Sequence, residues 1–365
     1  MKFKILLLSS IVFSCISIKA MLFYKEKEKD SLKLLSVLQN KGPVNSICYT
    51  PDGNNLLFGG LNNPTPTIKI YDTKDLSTIK AQLSSDRIIK KLACTEQMVS
   101  TANWNQLNIW DLTTSQNILK YDDQDDCATT VAYNKDGTLI LAACVDGIGR
   151  IYDTRDKKCA TQLCADAGQM KDAQWSPDNY QIATCSETNK KKNNLLNCWD
   201  IRTHRKLVYI EQPNENYLLQ YHPTKNMIAS AGSEKIVLYD TKFFTLLAAY
   251  WARGKKVDTL ENENQGIKFP TVNSFMFSPK NHDMLIAGLD NASITFCDLQ
   301  DPTQSICCDT DKSIETIATD PAAEYLSCGS FSSMDTTIYK LNIQMKDRAA
   351  LMMPVAPSRL RCTLQ

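Results

Sequence analysis

The chain has 365 residues, 43% of them apolar, with 41 basic and 40 acidic side chains and a formal charge of +1. That balance carries neither the basic excess of a nucleic-acid binder nor the acidic excess of a solvating, disordered chain, and the apolar content is ample for a packed core. No zinc-ligand spacing, phosphate-binding loop or dinucleotide fingerprint occurs, so neither a metal nor a cofactor is expected.

Residues 1–20 stand apart from the rest. Lys2 and Lys4 precede an apolar run at residues 5–18 that ends in Lys19-Ala20, the layout of a secretory signal peptide. The run is short for a transmembrane span, and Ala20 is a small residue suited to a cleavage point. Cleavage there would remove Lys2, Lys4 and Lys19 and no acid, leaving 38 basic and 40 acidic residues. Export, as a secreted or periplasmic protein, is the expectation. The alternatives are an uncleaved membrane anchor and a lipoprotein motif at Val12-Phe13-Ser14-Cys15 with Cys15 acylated, and only these involve a membrane. Residues 21–30 contain Lys25-Glu26-Lys27-Glu28-Lys29-Asp30, a charged, solvated spacer.

From residue 31 to 342 the chain repeats itself. Short β-rich segments end at Tyr71-Asp72, Trp110-Asp111, Tyr152-Asp153, Trp199-Asp200, Tyr239-Asp240 and Cys297-Asp298, and a seventh ends at Tyr339-Lys340. Successive markers are 39, 42, 47, 40, 58 and 42 residues apart. Each pair is preceded by an apolar strand, a turn and a strand of small residues. The turns are Pro51-Asp52-Gly53, Lys135-Asp136-Gly137, Ser176-Pro177-Asp178-Asn179 and Ser278-Pro279-Lys280-Asn281. Pro presets φ, Asp and Asn bond their own backbone, and Gly accepts positive φ, so these are hairpin turns by mechanism. Ala142, Ala143, Ala229, Ser230, Ala231, Ala287 and Gly288 fall in the second strands, where neighbouring sheets crowd. A fourth strand follows the marker, as at residues 205–210.

A period of this length, marked by an aromatic followed by Asp, resembles the WD-repeat family. The resemblance implies an all-β fold: a seven-bladed β-propeller of four-stranded blades. The last unit stops after its third strand near Asn342, while residues 32–39 precede the first unit without partners. The ring is therefore expected to close through this N-terminal strand, which removes both sheet edges and makes Leu32, Leu34, Leu35 and Val37 structural. The Gly-His pair common in the family is absent, so its buried His, Ser, Asp and Trp network cannot be complete. Asp146 and Asp290 stand at the tight-turn Asp position and Trp110 and Trp199 at the strand Trp, which implies fold-maintaining roles and weaker polar cross-linking. Residues 343–365, with Met352, Met353, Pro354 and Pro357, form a C-terminal tail for which disorder is the default.

Function is sought in the loops. The turns from second to third strands and the connections between blades emerge on one face. Two insertions lie there: one carries Lys190, Lys191 and Lys192 in the fourth blade; the other, residues 251–270, carries Trp251, Arg253, Lys255 and Lys256. The acidic loop Asp122, Asp123, Asp125 and Asp126 enters the third blade on that face, and Trp104 occupies the tight turn of the second. Aromatic and Arg residues are the usual anchors of protein interfaces, so these residues are the candidate protein- or peptide-binding set. The acidic run lacks the Gly and terminal Glu of a helical calcium loop. Of the fourteen cysteines, Cys48, Cys94, Cys144, Cys185, Cys198, Cys297 and Cys328 lie in strands as small hydrophobes; Cys159, Cys164, Cys307 and Cys308 sit in outer strands, open to oxidation or exposure. The three histidines, His204, His222 and His282, fall in separate turns of the opposite face, where solvated or turn-bonding roles are expected rather than convergence on chemistry. The reading is a non-catalytic scaffold for a protein or peptide rather than a nucleic acid; the alternative is an exported propeller hydrolase or sugar-binding module with a channel pocket.

Overall fold

A computed structural model describes residues 32–341 except residues 41, 62–64, 122–126, 157, 165–167, 188–193, 213–215, 234, 253–269, 302–304 and 332–333. The leader, spacer and tail expected at residues 1–20, 21–30 and 343–365 lie outside the described residues.

Seven four-stranded antiparallel sheets make up the fold. Strand β1 (Leu32–Gln39) comes first. Blade 1 is β2 (Val44–Tyr49), β3 (Asn55–Leu61), β4 (Pro66–Asp72) and β5 (Asp75–Ser84); blade 2 is β6 (Ile89–Cys94), β7 (Met98–Asn103), β8 (Gln106–Asp111) and β9 (Asn117–Tyr121). Blade 3 is β10 (Ala128–Tyr133), β11 (Leu139–Cys144), β12 (Ile148–Asp153) and β13 (Cys159–Cys164); blade 4 is β14 (Met170–Trp175), β15 (Gln181–Glu187), β16 (Asn194–Asp200) and β17 (Arg205–Glu211). Blade 5 is β18 (Asn216–Tyr221), β19 (Met227–Gly232), β20 (Lys235–Asp240) and β21 (Leu246–Trp251); blade 6 is β22 (Val272–Phe277), β23 (Met284–Leu289), β24 (Ser293–Asp298) and β25 (Ile306–Asp309). Blade 7 has β26 (Thr316–Thr319), β27 (Tyr325–Gly329) and β28 (Asp335–Leu341), and takes β1 as its fourth strand. The pairing runs from Leu32 opposite Leu341 to Gln39 opposite Asp335, so the ring closes as expected. The protein is an all-β, seven-bladed propeller without helices among the described residues.

Within the closing strand, the buried leucine is Leu38. Leu38 is 7% exposed and packs against Val44, Phe58 and Ile338, whereas Leu34 and Val37 face solvent and Leu35 is 51% exposed. A register shift between Leu34 and Ser36 is the reason: the extra residue resets which face each side chain occupies.

The markers owe their Asp to the turn that follows. The carboxylate of Asp111 accepts the backbone N–H of Thr113 and Thr114 at 2.8 and 2.7 Å, Asp200 those of Arg202 and Thr203, Asp240 those of Lys242 and Phe243, and Asp298 those of Gln300 and Asp301. Asp72 and Asp153 do the same to Lys74 and Arg155. Each marker thus caps the turn into its blade's fourth strand, an Asx turn. In the seventh unit the fourth strand is β1, which arrives from the other end of the chain, and the position holds Lys340.

The core consists of seven apolar clusters, one between each adjacent pair of blades. Small residues of the second strands allow this approach: Ala142, Ala143, Ala229, Ala231 and Ala287 are buried, and a Cβ on Gly288 would come within 2.4 Å of Ile314 Cγ2 in the next blade. Polar stitches join the innermost strands. Register shifts early in β2, β10 and β22 leave Asn45, Thr129 and Asn273 as extra residues. They donate to the carbonyls of Ile89, Met170 and Ile314 in the next blade at 2.7, 2.9 and 3.0 Å. One residue on, Ser46 and Ser274 accept the N–H of Leu92 and Ile317, and after the corresponding shift in β14 Asp172 accepts the N–H of Leu219. Blades are therefore linked by polar bonds across the channel strands.

Candidate functional site on the loop-rich face

Hairpin geometry sorts the connections onto two faces. Turns from first to second and from third to fourth strands share the lower face; turns from second to third strands, and the connections between blades, share the upper. Trp104 lies on the upper face at the tip of the two-residue turn from β7 to β8, with Asn105 at φ 49°. It is 57% exposed, which is costly for a side chain of that area unless something covers it. The turn beneath it is fixed: Asn103 is buried and donates its Nδ2 to Ser85 Oγ at 2.9 Å. Because Ile89 pairs with Asn103, exposed Ile88 stands beside Trp104, with Asp86 and Arg87 just before it.

A second apolar pair, Phe331 and Met334, is exposed on the turn from β27 to β28 of blade 7. Its scaffold is polar. Asn40 N donates to Met334 O at 3.0 Å, Lys69 Nζ donates to Asn40 Oδ1 at 3.0 Å, and Lys312 pairs with buried Asp335. The two pairs thus flank blade 1 from blades 7 and 2. Ile88, Phe331 and Met334 were not among the sequence candidates; the available signal was an apolar side chain beside an upper-face turn.

Of the other candidates, Trp251 ends β21 opposite Lys235, but its side chain is not among those described. Asp122, Asp123, Asp125, Asp126, Lys190, Lys191, Lys192, Arg253, Lys255 and Lys256 lie outside the described residues. The connections carrying them leave from the upper face, since they join β9 to β10, β15 to β16 and β21 to β22.

The lower face corrects one expectation. His222 and His282 do converge: the turns of blades 5 and 6 bring their rings to 5.9 Å between centroids, in an edge arrangement. His222 is buried rather than solvated, and its ring meets Phe277 edge-on at 4.8 Å. Its Nδ1 accepts the N–H of Thr224 and Lys225 at 3.1 and 3.0 Å, a turn-bonding role. The proton of the neutral ring therefore sits on Nε2, 3.8 Å from Asp283 Oδ1, which also pairs with Lys225. Burial, and then the nearby Lys225 cation, push the His222 pKa below its ordinary value. The arrangement ties two blades together. His204 reaches a different neighbour, Thr161 Oγ1, at 3.3 Å.

Inside the blades, the polar network is partial. Trp199 Nε1 donates to Thr184 Oγ1 at 3.1 Å, while the buried Nε1 of Trp110 has no hydrogen-bond partner. Asp146 pairs with Arg150 at 2.7 Å, and Asp290 accepts Thr271 N at 3.0 Å. Among the described residues no group of three or more His, Cys, Asp or Glu is placed to hold a metal ion. The described cysteines are thiols; Cys164 is exposed, whereas Cys144, Cys185, Cys198, Cys297 and Cys328 are buried.

Comparison with known proteins agrees with this architecture. Residues 91–181 match the family model of the anaphase-promoting complex subunit 4 WD40 domain, and residues 15–106 that of eukaryotic translation initiation factor eIF2A. These matches and the seven four-stranded blades support a WD-repeat β-propeller. Among relatives, WD repeat-containing protein 91 of Mus musculus is 25% identical over 182 residues, covering 41% of this chain and 24% of that protein. Retinoblastoma-binding-like protein E of Dictyostelium discoideum is 26% identical over 121 residues, covering 32% of this chain and 22% of that protein. The match therefore spans about a quarter of the length of these curated relatives. A WD-repeat propeller of this kind suggests a protein-interaction scaffold.

Proposed function

We propose that this propeller is a non-catalytic scaffold that captures a protein or peptide, rather than a nucleic acid, on its upper face, with Trp104 and Ile88 as the central apolar anchor. The observation that carries this is the exposure of Trp104 on a turn whose base is locked by the Asn103–Ser85 bond. A large, rigid aromatic held out on a fixed support is the usual form of an interface hot spot, and Arg87 beside it supplies a second residue type enriched there. Phe331 and Met334 extend the apolar surface on the far side of blade 1. The connections carrying Asp122, Asp123, Asp125 and Asp126, then Lys190, Lys191 and Lys192, and finally Trp251, Arg253, Lys255 and Lys256 would add charge and a further aromatic to the same face. The near-neutral charge of the chain supports a protein partner. We further propose that the protein works after export, on the strength of Lys2, Lys4 and the apolar run at residues 5–18.

Affinity capture with Trp104→Ala, Ile88→Ala and Trp251→Ala variants tests the docking reading. Loss of the captured partners with Trp104→Ala, at unchanged thermal stability, is the expected result; undiminished capture of every partner by the triple variant would refute it. Sequencing the mature amino terminus tests export. A start at Met21 is expected, and an intact Met1 on cytoplasmic protein would count against it.

A further inference from the structure

On the lower face, at the seam where blade 7 meets blade 1, lies a cavity of about 760 Å3. Leu35, Leu76, Tyr325 and Ile338 give it an apolar lining, and Asp52 and Asp320 contribute carboxylates against the single cation of Lys74. Its volume falls in the range of pockets that hold a small ligand or a few side chains, roughly 300–1,000 Å3. The seam is unusual in the ring because its outer strand comes from the opposite end of the chain, and the register shift in β1 turns Leu35 outward.

What lies next to this cavity is the exit of the chain. Leu341, the last described residue, donates its N–H to Glu324 O at 2.8 Å, within the turn that supplies Asp320, Pro321 and Ala322 to the lining. Residues 342–365 follow from there, with an apolar triplet Leu351-Met352-Met353 between Lys346 and Arg348 on one side and Arg359 and Arg361 on the other, and one acid, Asp347. Nine or ten extended residues span about 30 Å, ample for this triplet to return to the cavity. Methionine fills irregular apolar gaps well, and the flanking cations complement the two carboxylates.

We propose that residues 342–365 dock in cis on this cavity, with Leu351-Met352-Met353 on its apolar lining and the flanking basic residues toward Asp52 and Asp320. The N-terminal segment also enters beside Leu341, but its apolar run at residues 5–18 is separated from β1 by the charged run at residues 25–30 and is lost altogether if the leader is cleaved. The docked segment would brace the side of blade 7 where β28 and β1 pair without a hairpin between them, and this role is independent of the upper-face partner.

Methionine oxidation in the full-length chain tests the proposal. With dilute hydrogen peroxide and mass-spectrometric readout, Met352 and Met353 are expected to oxidise at least about fivefold more slowly than in a synthetic peptide of residues 342–365. Leu35→Asp in the full chain should restore the peptide's rate; Leu35 is largely exposed, so this variant folds, and a thermal melt verifies it. As a second measurement, Met353→Asp should raise deuterium exchange over residues 320–326. Equal rates in chain and peptide would overturn the proposal. So would protection that survives Leu35→Asp, which places the segment elsewhere, or protection lost on dilution, which makes the occupant a second copy.

Discussion

The closing strand offers the sharpest test of how the ring holds together. Leu38 and Val37 are neighbours on β1, yet Leu38 is 7% exposed within the cluster between blades 7 and 1, and Val37 is 40% exposed. Leu38→Ala removes the transfer free energy of the lost methyl and methine groups and leaves a cavity among Val44, Phe58 and Ile338. A buried leucine truncated in this way costs about 2–5 kcal/mol, and the rigid strands around it favour the middle of that range. Val37→Ala trims a half-solvated group and should cost roughly 0.5 kcal/mol or less. Urea unfolding followed by tryptophan fluorescence measures both, with the slope of the transition checked for change. A drop in midpoint confined to Leu38→Ala supports the clasp. Similar small effects from the two variants would mean that β1 lies on blade 7 without being locked into it, and the closure argument would fail.

Other expectations follow from single contacts. Gly288→Ala drives a Cβ to 2.4 Å from Ile314 Cγ2 and 2.9 Å from Ile317 Cγ2, so urea denaturation should show a loss of about 1–3 kcal/mol. Trp199→Phe strands Thr184 and should cost about 1 kcal/mol more than Trp110→Phe, whose indole N–H has no bond to lose; thermal melts of the pair give the difference. His222 is held neutral by burial and by the two N–H groups on Nδ1, so the unfolded chain binds its proton more readily than the folded one. Stability should therefore fall as pH drops below the ordinary histidine value of 6.5 and level off below the lowered folded value, and melts of His222→Asn, which keeps an acceptor but does not titrate, should be flatter over that window.

How far the chain could be read from its residues depended on whether a feature recurs. Blade number, strand order and the place of the closing strand were legible because each rests on a pattern repeated in unit after unit. The face of β1 was not, because alternation fails wherever an extra residue enters a strand, and nothing in Leu34-Leu35-Ser36 marks the shift. The meeting of His222 with His282 was hidden by a separation of sixty positions in sequence, including the long connection from β21 to β22. Trp104 was visible as an aromatic in a tight turn. Its neighbour Ile88 emerged only from the pairing of Ile89 with Asn103 across the hairpin.

The marker residues carry one more inference about how this sequence encodes closure. A marker Asp that accepts backbone N–H groups fixes the direction of the turn into the outermost strand, and at three of them hydrogen bonding to the ionised form holds the pKa down: for Asp153, where the Arg155 side chain dominates, to about 2, and below the ordinary value for Asp111, where Thr114 N–H leads, and Asp200, where the Arg202 side chain leads. These carboxylates are ionised in the folded state at pH values where an unfolded chain already takes up protons, so their contribution is present above the ordinary carboxylate value of 3.8 and is lost as pH falls through the lowered ones. Asp111→Ala and Asp200→Ala should each lower the melting temperature near neutral pH and shrink the difference from wild type below pH 3. Lys340 occupies the same position in the blade whose fourth strand is β1 rather than the segment that follows it, so Lys340→Asp should gain nothing. A Lys340→Asp variant stabilised as much as the Ala variants are weakened would mean that the marker serves the third strand itself, and that the missing Asp is no signature of a ring closed by its own beginning.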